Sequence, residues 1–472
     1  MNNQELCWIK ISDLTEKIKS REVSVKEIIE SHIRQIEKYN PEVNAVVTTD
    51  FDRALATANK LDKTHNNQEL PLLFGIPVLH KDLVPTKDLR TTYGSPIYKD
   101  NIPEIDGLIV QRLKEAGAVT LGKTNTPEFG AGSQTFNQVF GATLNPYDLT
   151  RTCGGSSGGS AVALACGMTP IADGGDLGGS LRNPANFCNV IGFRTSLGRV
   201  PTWPSDQPWS SLSVQGPMAR NIEDIALMLT VISGPDMRAP ISLSDKIDFS
   251  KSLIERSFKN TKISWSLDFD GLPVDERTKK VIESHKAVFQ ELGCEIDEIC
   301  PDFSLASEVF VTKRAYGMAT SHFDKLQANR DQLKDTVIWN TEEGLKLSAL
   351  DLGRAEVKQA ELFETIRSFM ETYEFMIFPV SQVPPFPVTE EYVKEINGHK
   401  MENYIDWMRS CYYITATGHP AISVPCGFTE DGLPVGIQIV GRYRQEESVL
   451  QLAKAFEDRT EYWKVRPNLV LV

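Results

Sequence analysis

The sequence is poor in the residues that bind metals and build disulfide frameworks. Its 472 residues include seven histidines and eight cysteines. The cysteines (Cys7, Cys153, Cys166, Cys188, Cys294, Cys300, Cys411 and Cys426) are scattered, with no Cys-x-x-Cys pair, and the histidines do not cluster. A zinc site is therefore not expected, and free buried thiols fit a chain of this size better than a disulfide framework. Long apolar runs are also missing. No stretch approaches the roughly 18 apolar residues that a membrane span needs. Glu5, Lys10, Asp13, Glu16 and Lys17 interrupt the N-terminus where a secretion signal would carry its apolar core. Positive charge is in deficit: 50 Lys and Arg against 63 Asp and Glu leave a net charge of −13. Such a surface repels nucleic acid and anionic membrane. The expectation is a soluble, cytoplasmic protein with neither as a partner.

What is present is an ordinary globular composition, 41% hydrophobic and 24% charged, in a chain long enough for a large core. Ser24 and Glu27 form a capping box ahead of a one-face stripe, Ile28, Ile29, His32, Ile33 and Ile36, predicting a helix that ends before Asn40-Pro41. An Ala-rich helix follows from Asp52 to Leu61, then a strand-like run from Gly75 to Leu79. A helix over Leu108 to Ala116 and a buried strand over Ala118 to Leu121 continue the alternation. Asp275 to Leu292 and Leu352 to Glu371 read as amphipathic helices. Strand patterns return at Phe375 to Val380, Ala421 to Phe428 and Gly436 to Gly441, before a last helix from Glu446 to Glu457. Alternation of this kind predicts an α/β architecture with helices on both faces of a sheet. No internal repeat is visible, and the stretch 235 to 250 reads as a surface crossing.

Between Arg151 and Pro184 glycine and serine become dense: R-T-C-G-G-S-S-G-G-S-A at Arg151 to Ala161, then A-D-G-G-D-L-G-G-S-L-R-N-P at Ala172 to Pro184. Apolar runs such as Ala161 to Ala165 persist inside this block, so it is no flexible linker. A phosphate cradle is one use of such glycines, but neither G-x-x-x-x-G-K-[ST] nor G-x-G-x-x-G is present. Structural turns are a second use. A third is an oxyanion hole, in which backbone N–H groups around a nucleophile converge on developing negative charge. Leu177-Gly178-Gly179-Ser180 suits the third, although the tripeptide alone favours the structural reading.

A serine nucleophile needs a base. No histidine lies between His80 and His285, though a distant one could still meet the serine in space. A lysine can serve if burial lowers its pKa. Lys81 ends the apolar run F-G-I-P-V-L-H-K-D. In an extended strand it shares a face with Pro77 and Leu79, while His80 points the other way. The bland alternative for Lys81 is a strand-end lysine that reaches solvent.

With these residues assembled, the block G-G-S-S-G-G-S-A (Gly154 to Ala161) followed by D-L-G-G-S-L-R-N-P-A (Asp176 to Ala185) resembles the signature of the amidase signature family. Ser156 and Ser180 stand 24 residues apart, as that signature has them. Similar segments occur at Phe74 to Asp82, Thr91 to Ser95, Gly122 to Phe129, Gly141 to Pro146, Gly216 to Arg220, Gly418 to Pro425 and Gly432 to Gln438. The resemblance implies a large mixed β-sheet flanked by helices on both faces, in one domain spanning 1–472. Its signature core covers about 74–235, a variable helical middle about 240–372, and a return to the core about 375–460.

The resemblance also implies a Ser-cisSer-Lys triad: Ser180 as nucleophile, Ser156 as a bridging serine after a cis peptide bond, and Lys81 as base. The amides of Leu177, Gly178, Gly179 and Ser180 would form the oxyanion hole. Asp176 and Arg182 would brace the loop as an ion pair, with Ser157 as a hydrogen-bonding neighbour and Ser160 an early helix residue. Asn125 and Glu128 read as structural, and Trp203 and Trp209 either as walls of the substrate site or, equally, as surface or core aromatics. Leu83 stands where family members often carry Asn, Gly175 where they carry Thr, and His80 where an apolar residue is usual. The first two would alter the lining of the site rather than the triad.

The function implied is hydrolysis of linear carboxylic amides through an acyl-enzyme, extending to anilides, esters or carbamates, with no cofactor and no metal. The partner is a small-molecule amide substrate, and a homodimer is one expected assembly. The alternative is the glutaminase A-subunit of a tRNA-dependent amidotransferase. Such subunits hold glutamine's amine with an acid shortly before the Thr-Gly-x-Pro-like segment. Asp406 lies in that zone, but the matching position is Met408. Pocket residues are expected from 300–410 and from loops near 130 and 205.

Overall fold

Runs of Val, Ile and Leu bounded by turn residues become strands, and eleven of them join in one mixed sheet in the computed structural model. The structure describes residues 5–64 and 70–469. The strands are β1 (Val46–Thr49), β2 (Pro77–Lys81), β3 (Val119–Thr124), β4 (Ile171–Asp176), β5 (Ile191–Arg194) and β6 (Val214–Ala219). They continue with β7 (Lys262–Trp265), β8 (Glu295–Asp297), β9 (Phe375–Pro379), β10 (Ala421–Phe428) and β11 (Pro434–Gly441). Their order is β1-β3-β2-β4-β6-β5-β10-β11-β9-β7-β8. Parallel pairing occurs toward both ends, β3–β2–β4 and β9–β7–β8. The centre is antiparallel. Every residue of β2, β9 and β11 is buried, which is why these strands read as continuous apolar runs rather than as alternation.

Helices flank the sheet. Those that matter for the site are α1 (Val25–Val43), α2 (Gly158–Ala165), α3 (Arg182–Phe187), α4 (Ala306–Asn329), α5 (Asp335–Leu345), α6 (Ala349–Thr372) and α7 (Arg409–Thr417). α2 is short and wholly buried, and it packs against β2, β3, β4 and β6. α4 packs on α5, α6 and α7. Among the described residues no helix is long and apolar enough to cross a membrane.

The capping box of Ser24 and Glu27 is formed as expected, but α1 does not end before Asn40-Pro41. It runs on to Val43, with Asn44 in the left-handed region at φ 49° donating to Asn40. Proline in the last turn removes one helical donor, and the left-handed cap then closes the helix. The stretch Asp275 to Leu292 is also not one helix. It breaks into Glu276–Glu283 and Lys286–Glu291, with His285 between them bonding back to Val281 through its ring. β2 begins two residues later than the apolar run and extends through Lys81, so the lysine is part of the strand.

Candidate active site

β2 sets the site because its last residue brings an amine beside a strand, β4, that carries two carboxylates. Lys81 is 1% exposed. Its backbone N–H donates to Asp173 on the adjacent β4 at 2.8 Å. Its Nζ donates to Ser156 Oγ at 2.7 Å and Ser157 Oγ at 2.9 Å. Both serines lie at the start of α2, and the Gly155–Ser156 peptide bond is cis. The Ser157 N–H donates to the Ser180 carbonyl at 3.2 Å, tying the glycine-serine loop to the loop that follows β4. Ser180 lies two residues before α3 and faces the same cavity as Lys81 and Ser156. Its hydroxyl has no protein hydrogen-bond partner among the described residues, so the Ser180–Ser156 contact expected of a relay is open here. Such contacts commonly tighten only with substrate in place.

Burial drives the electrostatics. Burial disfavours the Lys81 ammonium and lowers its pKa to about 7, although the Asp173 and Asp176 carboxylates pull it upward. His80 points away from Lys81, as the strand alternation predicts. It is packed and fully buried, with Nδ1 2.5 Å from Asp173 and Nε2 3.1 Å from Thr120 Oγ1. Burial lowers its pKa against the pull of Asp173, so the ring stays neutral and donates from Nδ1 to the carboxylate. Asp173 therefore holds both His80 and the Lys81 backbone. Lys123 on β3 is a second buried lysine, lowered to about 8, and is occupied by the Val84 carbonyl and Thr86 Oγ1.

The loop from Asp176 to Arg182 is braced from beneath. Asp176 takes a two-pronged contact from Arg182, at 3.0 Å on each oxygen, and a further one from Arg194 at 3.2 Å. These cations hold its carboxyl well below the usual carboxylate range, against its own desolvation. The expected Asp176–Arg182 pair is thus present, and Arg194 was missing from it. Gly178 and Gly179 are required by close approach. A Cβ on Gly178 would meet Phe310 of α4 at 2.8 Å, and one on Gly179, at φ 116°, would meet Cys411 of α7 at 2.5 Å. The Gly179 N–H donates to Asp176 at 2.9 Å. The amides of Leu177, Gly178 and Ser180 have no protein partner among the described residues. Of the four amides expected to form an oxyanion hole, three are available and the fourth shapes the loop.

These groups open on a cavity of about 150 Å³. Its lining includes Leu83, Phe129 to Ser133, Gly175, Leu177, Ser213, Arg314, Met318 and Met408. The stretch 300–410 and the loop near 130 contribute as expected, and Leu83 and Gly175 do line the site. Trp203 and Trp209 do not. Trp203 stacks under the Arg238 guanidinium, and Trp209 is 72% exposed. Asn125 and Glu128 are buried in hydrogen bonds to neighbouring loops, and Ser160 is in α2, bonded to Thr124 and the Asp173 carbonyl. Sequence reasoning gave no role to Asp173 or Arg314. An acid inside a run of small and apolar residues was the signal for the first. The i, i+4, i+8 spacing of Phe310, Arg314 and Met318 was the signal for the second. Seven of the eight cysteines are buried and Cys300 is half-buried. Among the described residues no cluster of His, Cys, Asp and Glu could hold a metal ion.

A sheet of this order, with a buried lysine donating to paired serines beside a glycine-turned loop, has known relatives. Residues 27–450 match the Amidase family. An acylamidase of Rhodococcus erythropolis is 32% identical over 461 residues, covering 97% of this chain and 96% of its own. The glutamyl-tRNA(Gln) amidotransferase A-subunit of Geobacillus kaustophilus is 34% identical, covering 97% of this chain and 99% of its own. The crystal structure of a bacterial aryl acylamidase of the amidase signature enzymes superposes with a TM-score of 0.92 at 28% identity, covering 98% of this chain and 99% of that one. The chain belongs to the amidase family, and it is a hydrolase acting on amide C–N bonds.

Proposed function

We propose that this protein hydrolyses small linear carboxylic amides through an acyl-enzyme on Ser180, with Ser156 relaying protons to and from Lys81. The observation that carries the reading is Lys81 itself: an amine buried to a pKa of about 7 and donating to two serine hydroxyls. At neutral pH a large fraction is unprotonated and able to accept a proton.

Ser180 Oγ attacks the carbonyl carbon while its proton passes to Ser156 Oγ, and the Ser156 proton passes to neutral Lys81. The amides of Leu177, Gly178 and Ser180 receive the oxyanion, in a site where water competes little and each donor is worth more than in bulk solvent. The proton returns through Ser156 to the leaving nitrogen, the C–N bond breaks, and an ester remains on Ser180. Water repeats the attack with the same relay. Ser157 shares Lys81 with Ser156 and fixes the direction of the amine. Anilides, esters and carbamates follow the same tetrahedral path and are secondary substrates. The continuous sheet from Val46 to Gly441 lets the whole chain work as one domain.

The cavity of about 150 Å³, with Leu83, Phe129, Met318 and Met408 on its walls, suits a small acyl group. The second reading, a glutaminase component of an amidotransferase, draws support from relatives of that kind. Against it, no Asp or Glu lines the cavity among the described residues. Met408 occupies the wall, and the Asp406 carboxylate is engaged by the Glu402 N–H and Arg409. Glutamine's ammonium would enter without a counter-charge.

Labelling the purified protein with a fluorophosphonate and screening primary amides, anilides, esters, carbamates and glutamine tests the assignment. The expected result is label on Ser180 and ammonia or amine release by the chain alone. Label elsewhere, or activity appearing only with co-purified partner proteins, would overturn it.

A further inference from the structure

α4 runs beside the site with three side chains spaced by one turn each. Phe310 lies against Gly178 of the glycine-turned loop. Arg314 and Met318, four and eight residues later, share that face and line the cavity. The rise of a helix puts Arg314 about 6 Å beyond Phe310, within one small substrate's reach of the loop.

Arg314 is 6% exposed, yet no Asp or Glu forms an ion pair with it among the described residues. Its Nη1 donates to Asn340 Oδ1 and its Nη2 to the Tyr404 hydroxyl at 2.5 Å. Asn340 and Tyr404 also bond each other, so the guanidinium is clamped from behind by neutral groups on α5 and the loop before α7. Only two of the five N–H donors of a guanidinium have protein partners here, among the described residues. Arg182 makes the contrast: its five donors go to Asp176, the Cys411 carbonyl, Gln438 and Thr415. A buried cation normally has an anionic partner, because removing charge from water is unfavourable without one. At Arg314 the protein supplies orientation, with the Tyr404 ring centroid 5.4 Å from the guanidinium carbon, and leaves the charge without an acid in a cavity also lined by Leu83, Phe129, Met318 and Met408.

We propose that Arg314 is a specificity residue that binds a carboxylate carried by the substrate, so that the preferred amides are acidic ones. The planar fork of the guanidinium matches a carboxylate in two parallel hydrogen bonds, which a neutral alkyl group cannot make. The inference rests on the amidase reading above and narrows it. The carboxylate sits either on the acyl group, as in a monoamide of a dicarboxylic acid, or on the amine released, as in an N-acyl amino acid.

Steady-state kinetics on the purified chain distinguish these sources. One arm compares succinamic, glutaramic and adipamic acids with butanamide, pentanamide and hexanamide. The other compares N-acetylglycine and N-acetyl-β-alanine with N-acetylethylamine and N-acetylpropylamine. In at least one arm kcat/KM for the acid should exceed that of its neutral partner by roughly 10-fold or more. The arm that shows it identifies the side of the scissile bond. In Arg314→Met that ratio should fall to near one, through KM, while Arg314→Lys keeps part of it.

Absence of any acid preference in the unmodified protein overturns the inference without reference to a variant that might misfold. A preference that survives in Arg314→Met, with its melting temperature recorded, overturns it as well. Hydrolysis of neutral amides together with label on Ser180 keeps the amidase reading intact in either case. Failure of every amide, with no label on Ser180, removes both readings together.

Discussion

Arg182 and Arg314 are both buried, and they mark two regions built on opposite terms. Around Arg182, in the floor formed by β2, β4 and the loop 176–182, two buried arginines share a carboxylate and the other carboxylate is held by hydrogen bonds. Asp176 meets Arg182 and Arg194, and Asp173 meets His80 and the Lys81 backbone. Around Arg314, in the wall formed by α4 and α5, a cation is oriented by neutral groups and left without a carboxylate. On the proposed reading the floor carries the chemistry common to amides, and the wall, with its unanswered charge, selects among substrates.

Breaking the floor should produce the largest effects. Ser180→Ala is expected to reduce kcat/KM by roughly 10⁴-fold or more, because no other group in the cavity replaces the attacking oxygen. Retention of substantial turnover in a rapid amide assay would displace Ser180 as nucleophile. Lys81→Ala should lose about 10²- to 10⁴-fold, the range for a general base.

Asp176→Asn leaves Arg182 and Arg194 buried without their shared carboxylate, and a loss of about 3 to 5 kcal/mol in denaturant unfolding is expected. A change below about 1 kcal/mol, on the scale of an exposed pair, would mean the brace is not structural.

The pH profile sharpens the comparison within the floor. Lys81 acts as a base only when unprotonated, so kcat/KM should rise with pH and reach half its plateau near pH 7, the lowered pKa of that lysine. The Asp173 charge pulls this pKa upward. Asp173→Asn, which keeps an acceptor for the Lys81 N–H, should therefore move the midpoint to lower pH. An unmoved or rising midpoint would assign the limb to another group. His80, neutral and pointing away, should not set it. At the bottom of the scale, Trp209→Ala should leave stability within about 0.5 kcal/mol and kinetics unchanged, since its side chain lies in solvent away from the cavity.

The two regions also differed in how far they could be read from the chain. Ser156, Ser180, Lys81 and the Asp176–Arg182 pair could be singled out because they lie in short segments that resemble a family signature and carry strong local constraints. Two glycines must precede Ser180 for the loop to pass Phe310 and Cys411, and an apolar strand must carry Lys81 into a dry place. Of the two readings open for Trp203 and Trp209, the structure has them outside the cavity, because nearness in sequence to a site says little about where a loop side chain turns.

The α/β class and most element positions follow from the sequence alone, because periodicity, turn chemistry and burial patterns are local properties; the proposed reactive residues came from the resemblance of the glycine-serine block to a family signature. The strand order, which makes Asp173 the neighbour of His80 and Lys81, was decided by tertiary structure, as was the commitment of the Gly179 amide to Asp176. So was the meeting of Arg314 with Ser180, residues 134 positions apart in the chain. Helix spacing showed that Phe310, Arg314 and Met318 share a face. Which cavity that face would close, and whether an acid would be waiting there for the arginine, depended on how α4 docks against a loop far away in sequence.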